Sequence, residues 1–422
     1  MKFDDDSAAS LVASSVSAFY ERHPYPQPVD DLEPYRTRWD DGRRRAESHL
    51  FWPGESYRGD RTILVAGCGT TQAAKYATRW PGAKVTGIDV SAASLQFTAK
   101  LKRKYGLDNL EVRRLPVERA ADLGATFDHV VCTGVLHHLA DPDAGLRSLR
   151  EAMAPTGALH MMVYAPYGRA GVYLLQDYCR RLGIRPTKAA IADLVSSLKA
   201  LPPDHPLIPL LRGSPDFRTD AGIADALLHP QDRAYAVPQV FDFLRQTGLE
   251  FGRWIRQAPY RPECGALASS PHRPLLDRLA IEERYAAAEL FRGTMVRHSL
   301  SAYRNDRPAT DRDVNFESGG WLDYVPIRTP GTIVVRDRLP PGAAAVLINQ
   351  NHTYADLFLP IDARQERMLA AVDGVRAIAD ICPEPERERG RTFFAQLWAW
   401  DQIVVDTSGG QSGRDRSSEA RP

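Results

Sequence analysis

The chain alternates short apolar runs with longer stretches of helical spacing, and the first fully apolar run starts at Ile63. Ile63-Leu64-Val65-Ala66 has no polar position, as expected of a strand covered on both faces. Further strands are predicted over 84–89, 110–114, 129–133 and 158–164, with helices between them, for example over 91–105 and 143–153. This alternation predicts an α/β fold: a doubly wound parallel sheet with right-handed crossovers. Ahead of the sheet, Leu11, Val12, Val16, Phe19 and Tyr20 keep helical spacing until His23-Pro24-Tyr25-Pro26 stops it.

After the fifth strand the pattern breaks into an insertion over about 166–235, with helical pieces at 171–182 and 187–201 and a proline-rich connector, Pro202 to Pro206. The core resumes with a helix at 237–248, a strand at 250–257, an added helix at 279–291 and a last strand at 295–303. From Arg307 onward there are 14 arginines, no lysines and 17 acidic residues, a net charge of −3. The pattern there predicts strands at 332–335 and 344–349, a helix at 363–372 and one closing element at 394–405. The expected division is therefore an N-terminal cap over 1–60, a core over 61–306 with its lid, a C-terminal domain over 307–407, and a disordered tail over 408–422.

The strand at Ile63 runs into Gly67-Cys68-Gly69-Thr70, and Asp89 follows 22 residues after Gly67 at the end of the next strand. Glycines let backbone approach a ligand closely, and a carboxylate at the neighbouring strand end can accept both hydroxyls of a ribose. A dinucleotide loop needs a third glycine for its pyrophosphate, and Gln72 stands in that place. The loop also lacks a Lys-Ser/Thr tail, so the pattern suits a nucleoside without phosphates, of which S-adenosylmethionine is the common case.

Phe127-Asp128-His129-Val130-Val131-Cys132-Thr133-Gly134-Val135-Leu136-His137-His138-Leu139, then Asp141-Pro142 and Pro155-Thr156-Gly157, add a third segment. Together the three resemble the class I S-adenosylmethionine-dependent methyltransferases over roughly 61–164. The resemblance implies a Rossmann-like seven-stranded sheet with an N-terminal cap, an inserted helical lid and here a small C-terminal α+β domain. It implies cofactor contacts from Gly67, Cys68, Gly69 and Thr70, a ribose contact from Asp89 and adenine packing from Val90. Thr133, Gly134 and Val135 would floor the methionine pocket, with His138 beside them in a local structural role. Where the family reads the adenine amino group with an acidic residue this chain has Pro116 and Val117, and backbone groups can replace the side chain there.

A bacterial subgroup of the family has a similar Pro-Tyr-Pro element as a cap, which would turn Tyr20 or Tyr25 toward the sulfonium. The alternative is that both tyrosines pin an extended arm to the core. Candidate general bases are His137 and His138, the latter with a local structural role as the stronger reading, and, in the lid, His229 of Leu228-His229-Pro230, with Tyr164 and Tyr235 behind them. The expected activity is methyl transfer to an oxygen or nitrogen of a small molecule or modified peptide. The chain has no Asp/Asn-Pro-Pro-Tyr or -Phe motif after the fourth strand, which disfavours base or glutamine methylation. A protein or nucleic-acid methyltransferase is the competing enzyme reading. Val65, where the family places an acid, keeps a non-catalytic cofactor-binding accessory protein as an alternative.

Composition narrows the partners. A net charge of +1 carries no polyanion signature, so no nucleic acid is expected. No apolar run is long enough to span a bilayer, so a cytoplasmic enzyme without membrane contact is the expectation. Cys68, Cys132, Cys179, Cys264 and Cys382 have no regular spacing and read as buried thiols, without a disulfide or metal site. Gly374-Val375-Arg376-Ala377-Ile378-Ala379-Asp380-Ile381 resembles a turn of peptide-recognising winged helices in natural-product modification enzymes. Dimerisation, giving a homodimer, or extension of the core is the plainer role for that domain.

Overall fold

A computed structural model describes residues 14–307 and 314–410, which fall into two compact units. One gathers the described residues up to Arg38 with Asp60–Phe251 and Arg292–Asn305; the other gathers Trp39–Gly59, Gly252–Phe291 and the described residues from Asp306 on.

The first unit is built on a seven-stranded sheet, the Rossmann-like methyltransferase arrangement. Its strands are β1 (Thr62–Ala66), β2 (Lys84–Asp89), β3 (Leu110–Arg114), β4 (Phe127–Thr133), β5 (Met153–Tyr164), β6 (Leu249–Trp254) and β7 (Arg297–Arg304), in the order β3-β2-β1-β4-β5-β7-β6. β1 pairs in parallel with both β2 and β4, while β7 runs antiparallel to β5 with Leu159 opposite Ala302. Ile63, Leu64, Val65 and Ala66 are all buried, so the central strand needs apolar residues on both faces, as its sequence has. The strand order reverses between β1 and β4, and the crevice beyond their carboxyl ends is where such sheets bind ligands.

Local signals set the helices that frame this crevice. Ser91 caps helix Ala92–Tyr105 by accepting the Ser94 N–H, and Gly106 ends it with a left-handed φ of 58°. Asp141 caps helix Pro142–Glu151 through the Ala144 N–H, with Pro142 in the first turn. The insertion folds as helices Ala170–Arg181, Lys188–Lys199, Ile208–Gly213 and Asp220–Leu228. They share an apolar core of residues such as Val172, Leu175, Ile191, Leu194, Ile223 and Leu227, and Phe19 of the N-terminal helix is buried in it.

Several boundaries differ from expectation. β5 starts at Met153, because the Pro155-Thr156-Gly157 segment stays within the strand, and the strand expected over 250–257 ends at Trp254. Helix Asp220–Leu228 was not expected; Thr219 caps it, and Gly222 is required because a Cβ there would lie 2.1 Å from the Asp216 carbonyl oxygen. Of the N-terminal helix expected over 10–22, residues 10–13 lie outside the described residues.

In the second unit, β8 (Val325–Arg328) pairs antiparallel with β12 (Ile403–Asp406). β9 (Thr332–Val335), β10 (Ala345–Asn349) and β11 (Phe358–Ile361) form a three-stranded antiparallel sheet. Helices Ala363–Ala370, Ile378–Ile381 and Arg387–Ala399 complete it around Leu347, Leu359, Phe393, Phe394, Leu397 and Ile403. The single closing element expected over 394–405 is instead a helix and a strand, separated where Asp401 takes a left-handed φ of 57°. Ser408–Gly410 form a 3₁₀ turn, and the rest of the expected tail lies outside the described residues. Among the described residues no helix is long and apolar enough to cross a membrane.

Candidate active site

The glycine loop and the end of β2 are joined through Asp89. Its Oδ2 accepts the Gly69 N–H at 2.8 Å and its Oδ1 accepts the Ser91 N–H at 2.9 Å. An ionised carboxylate has about four lone-pair directions, so acceptor capacity remains for a ligand. Burial raises the Asp89 carboxyl above its ordinary pKa, against the pull of the Ser91, Gly69 and Val90 backbone donors.

Both glycines take left-handed φ values, 66° at Gly67 and 55° at Gly69. A Cβ on Gly67 would lie 2.4 Å from Val135 Cγ2, and one on Gly69 would lie 2.6 Å from the Tyr25 carbonyl oxygen. The close approach expected of a ligand is therefore made first by the protein's own Val135 and Tyr25. Cys68 is fully buried, and burial pushes its thiol pKa well up, which leaves packing against Gly87 as its work. Gln72, in place of a third glycine, donates to Thr133 Oγ1 at 2.7 Å and so ties the loop to the end of β4.

The N-terminal segment covers the loop. Thr70 Oγ1 donates to the Pro26 carbonyl at 2.7 Å, and Ser91 Oγ donates to the Tyr20 carbonyl at 3.3 Å. Glu21 Oε1 and Oε2 accept the Ala92 and Ala93 N–H groups at the start of helix Ala92–Tyr105, where a negative charge also meets the positive end of the helix dipole. Tyr20 OH donates to Asp225 at 3.0 Å and Tyr25 OH donates to Asp216 at 2.9 Å, so both phenols are engaged by carboxylates of the inserted segment. Past β3, Leu115 N–H donates to the Asp89 carbonyl, which brings Pro116 and the buried Val117 to the end of β2; the Val90 carbonyl accepts from Arg114.

Val135 starts a 3₁₀ turn, Leu136–His138, within a row of rings tilted against one another. Tyr164 and His137 lie 3.9 Å apart, His137 and His138 4.2 Å, His138 and His229 3.9 Å, and His229 lies 5.4 Å from Tyr20. The Arg169 guanidinium sits 3.5 Å over the Tyr164 ring and pairs with Asp232 at 3.3 Å. Gln176 Nε2 also donates to Asp232, at 2.8 Å. Asp225, buried with Tyr20 as its donor, has its carboxyl pushed up to about 6, chiefly by burial. Burial also lowers the imidazoles: His138 to about 4, His229 to about 3, and His137 well below its ordinary range.

One residue fixes the tautomers of two of these rings. His138 Nδ1 lies 2.7 Å from the Gln231 carbonyl oxygen, so it carries the proton and leaves a lone pair on Nε2. Gln231 N–H donates to His229 Nδ1 at 3.1 Å, so the neutral His229 carries its proton on Nε2, a buried atom with no partner. His138, Asp225 and His229 place one ligand atom each within 4.8 Å of one another. A metal on His229 Nε2 would need a proton on Nδ1 facing the Gln231 N–H, so this trio is one lone pair short of a metal site. His137 has both ring nitrogens buried without partners. Tyr235 is stacked on Phe243 at 5.2 Å.

Of the residues expected from sequence, His137, His138, His229, Tyr20 and Tyr164 come together at one end, and the glycine loop, Asp89 and Val135 at the other. Arg169, Gln176, Asp225, Gln231 and Asp232 were not anticipated. Their segments carry no motif that marks them.

A family model described as a methyltransferase domain matches residues 64–159. The chain is a class I S-adenosylmethionine-dependent methyltransferase. It belongs to the family of the uncharacterized protein syc1184_c of Synechococcus sp., with which it shares 30% identity over 318 residues, 71% of this chain and 74% of that one. The ubiquinone biosynthesis O-methyltransferase of Paracidovorax citrulli is 29% identical over 132 residues, and the chain spans half of that relative's length. The structure of PKMT2 from Rickettsia typhi superposes with a TM-score of 0.60 at 14% identity, over 90% of this chain and 76% of that one, and the same protein is known with AdoHcy bound. At that identity the likeness is one of fold.

Proposed function

We propose that the enzyme methylates an oxygen or nitrogen of a small molecule or a modified peptide. The observation that carries this reading is the stack from Tyr164 to His229, with Arg169, Asp225 and Asp232 around it, on the same unit as the glycine loop and joined to it by Val135. A polar end enclosed by buried side chains suits one small protic group better than a broad macromolecular surface.

In this reading Gly67, Cys68, Gly69 and Thr70 hold the methionine and ribose part of the cofactor. Asp89 holds the ribose diol, Val90, Pro116 and Val117 hold the adenine, and Thr133, Gly134, Val135 and His138 line the methionine side. The residual lone pairs of Asp89 fit a diol, and S-adenosylmethionine supplies an electrophilic methyl when bound. Tyr20 and Tyr25, in a Pro-Tyr-Pro cap, close the pocket from the N-terminal side. His137 and His229 face the acceptor, and the protein's main contribution is to orient it and exclude water. Residues 166–235 serve as the lid, and the C-terminal residues form a winged-helix-like module in a cytoplasmic enzyme.

Calorimetric titration with S-adenosylhomocysteine, followed by transfer of labelled methyl to panels of hydroxyl- and amine-bearing acceptors, tests the reading. Binding with turnover on a small acceptor supports it; turnover only on intact proteins or nucleic acids overturns the acceptor class.

A further inference from the structure

We propose that the acceptor is a hydroxyl, recognised by the opposite tautomers of His138 and His229, and that His138 Nε2 receives its proton. This inference rests on the reading of the site given above. Gln231 donates its N–H to His229 Nδ1 and offers its carbonyl to His138 Nδ1, so the two stacked rings present unlike atoms. His138 Nε2 offers a lone pair; His229 Nε2 offers an N–H that is buried and has no acceptor. One ring nitrogen of each histidine and a carboxylate oxygen of Asp225 lie within 4.8 Å of one another and the ring centroids are 3.9 Å apart, so a single small group is within reach of both rings. A hydroxyl has one proton to give and lone pairs to receive, which complements this pair. An ammonium brings only donors and would face the His229 N–H, and a neutral amine spends its one lone pair on the attack, whereas a hydroxyl oxygen keeps a second lone pair for that N–H.

Arg169, Asp232, Asp225, Tyr20, Tyr164 and His137 face the pair from the neighbouring elements. Burial, with the nearby Arg169 charge acting on His138, keeps both rings neutral at ordinary pH, so the pattern is one of tautomers rather than charges. A neutral imidazole of low basicity suffices here. As the oxygen forms its bond to the methyl carbon and the carbon–sulfur bond breaks toward sulfur, the O–H becomes that of a protonated ether, a very strong acid. The proton then passes to His138 Nε2, and the cofactor leaves as the thioether.

Long-range ¹H–¹⁵N correlation spectra of the full chain, labelled at histidine and saturated with S-adenosylhomocysteine at pH 7, test this directly. The expected result is a protonated Nδ1 on His138 and a protonated Nε2 on His229. Phenol, used as the hydroxyl probe, should shift both Nε2 resonances, and benzylammonium should shift neither. His138→Asn keeps a donor for the Gln231 carbonyl but lacks Nε2, and should weaken phenol binding about tenfold. His138→Gln, whose amide reaches the Nε2 position, should recover part of it. Equal tautomers on the two rings, phenol leaving both resonances unmoved, or benzylammonium shifting them would overturn the inference. Failure to bind S-adenosylhomocysteine would instead overturn the underlying site.

Discussion

Asp89 accepts the backbone N–H of Gly69 across 20 residues of chain, at 2.8 Å, so the acid assigned to the ribose also holds the glycine loop in shape. Its second oxygen does the same for Ser91, the cap of the following helix. Asp89→Ala should therefore weaken S-adenosylhomocysteine by about 1.5–3 kcal/mol per hydrogen bond lost, more than tenfold in affinity. Asp89→Asn, which keeps one acceptor oxygen, should lose less. Titration calorimetry on both variants checks this, and unchanged affinity in Asp89→Ala would place the ribose elsewhere.

Gly67→Ala should destabilise the fold by about 1–3 kcal/mol, since φ is left-handed and the new methyl meets Val135. Adding Val135→Ala removes the collision and leaves the backbone strain, so recovery should be partial. Thermal unfolding of the single and double variants separates the two contributions; full recovery would show that the backbone conformation costs nothing.

Arg169→Met should cost about 3–5 kcal/mol, because it leaves the Asp232 carboxylate in the interior without its cation. Arg169→Lys keeps the charge but not the flat stacking on Tyr164, and should fall between the two. Pairing Arg169→Met with Asp232→Asn should restore part of the loss. Urea midpoints of this set are the measurement, and additive losses in the double variant would deny the coupling.

Acid should destabilise the protein below about pH 6.5. His138 and His160 have folded-state pKa values lowered to about 4 and His229 to about 3, and His129 and His137 lie well below their ordinary range, burial being the first cause in each. From pH 6.5 down to about 4 the unfolded chain takes up protons that these folded sites refuse. Each histidine therefore subtracts about 1.4 kcal/mol per pH unit as pH falls. Asp225, raised to about 6, has the opposite sign: its folded form binds a proton first and gains stability between pH 6 and 4. Asp401 is likewise raised to about 6, and Asp89, Glu118 and Asp232 are raised in direction, all by burial first; the five histidines start to act from pH 6.5, above these carboxyls, so the unfolding midpoint should drop on acidification from pH 7. His229→Gln should flatten that slope, and a pH-independent midpoint from 7 to 5 would contradict the burial of these rings.

The central sheet was readable because each strand carries its own evidence. The apolar run of β1, the spacing from Gly67 to Asp89 and the Thr133-Gly134-Val135 segment are local patterns, and β2 and β3 fall on the expected residues. The histidine cluster proposed to meet the acceptor was only half readable. His137, His138 and His229 stand out as histidines, but Asp225, Arg169 and Asp232 look like ordinary charges of helices and loops. Their burial follows from how the inserted helices pack on Phe19, a long-range outcome that no window of sequence contains. Residues 39–59 and 252–291 gather with the C-terminal chain, a grouping of segments distant in sequence that no local pattern announces.

Both bonds that orient the paired imidazoles come from the peptide groups of Gln231, and neither uses its side chain. Any amino acid except proline supplies the same N–H and carbonyl. Selection can thus let the letter at 231 drift while the wiring persists, and a variant library scanning this stretch should find tolerance at 231 beside intolerance at 229.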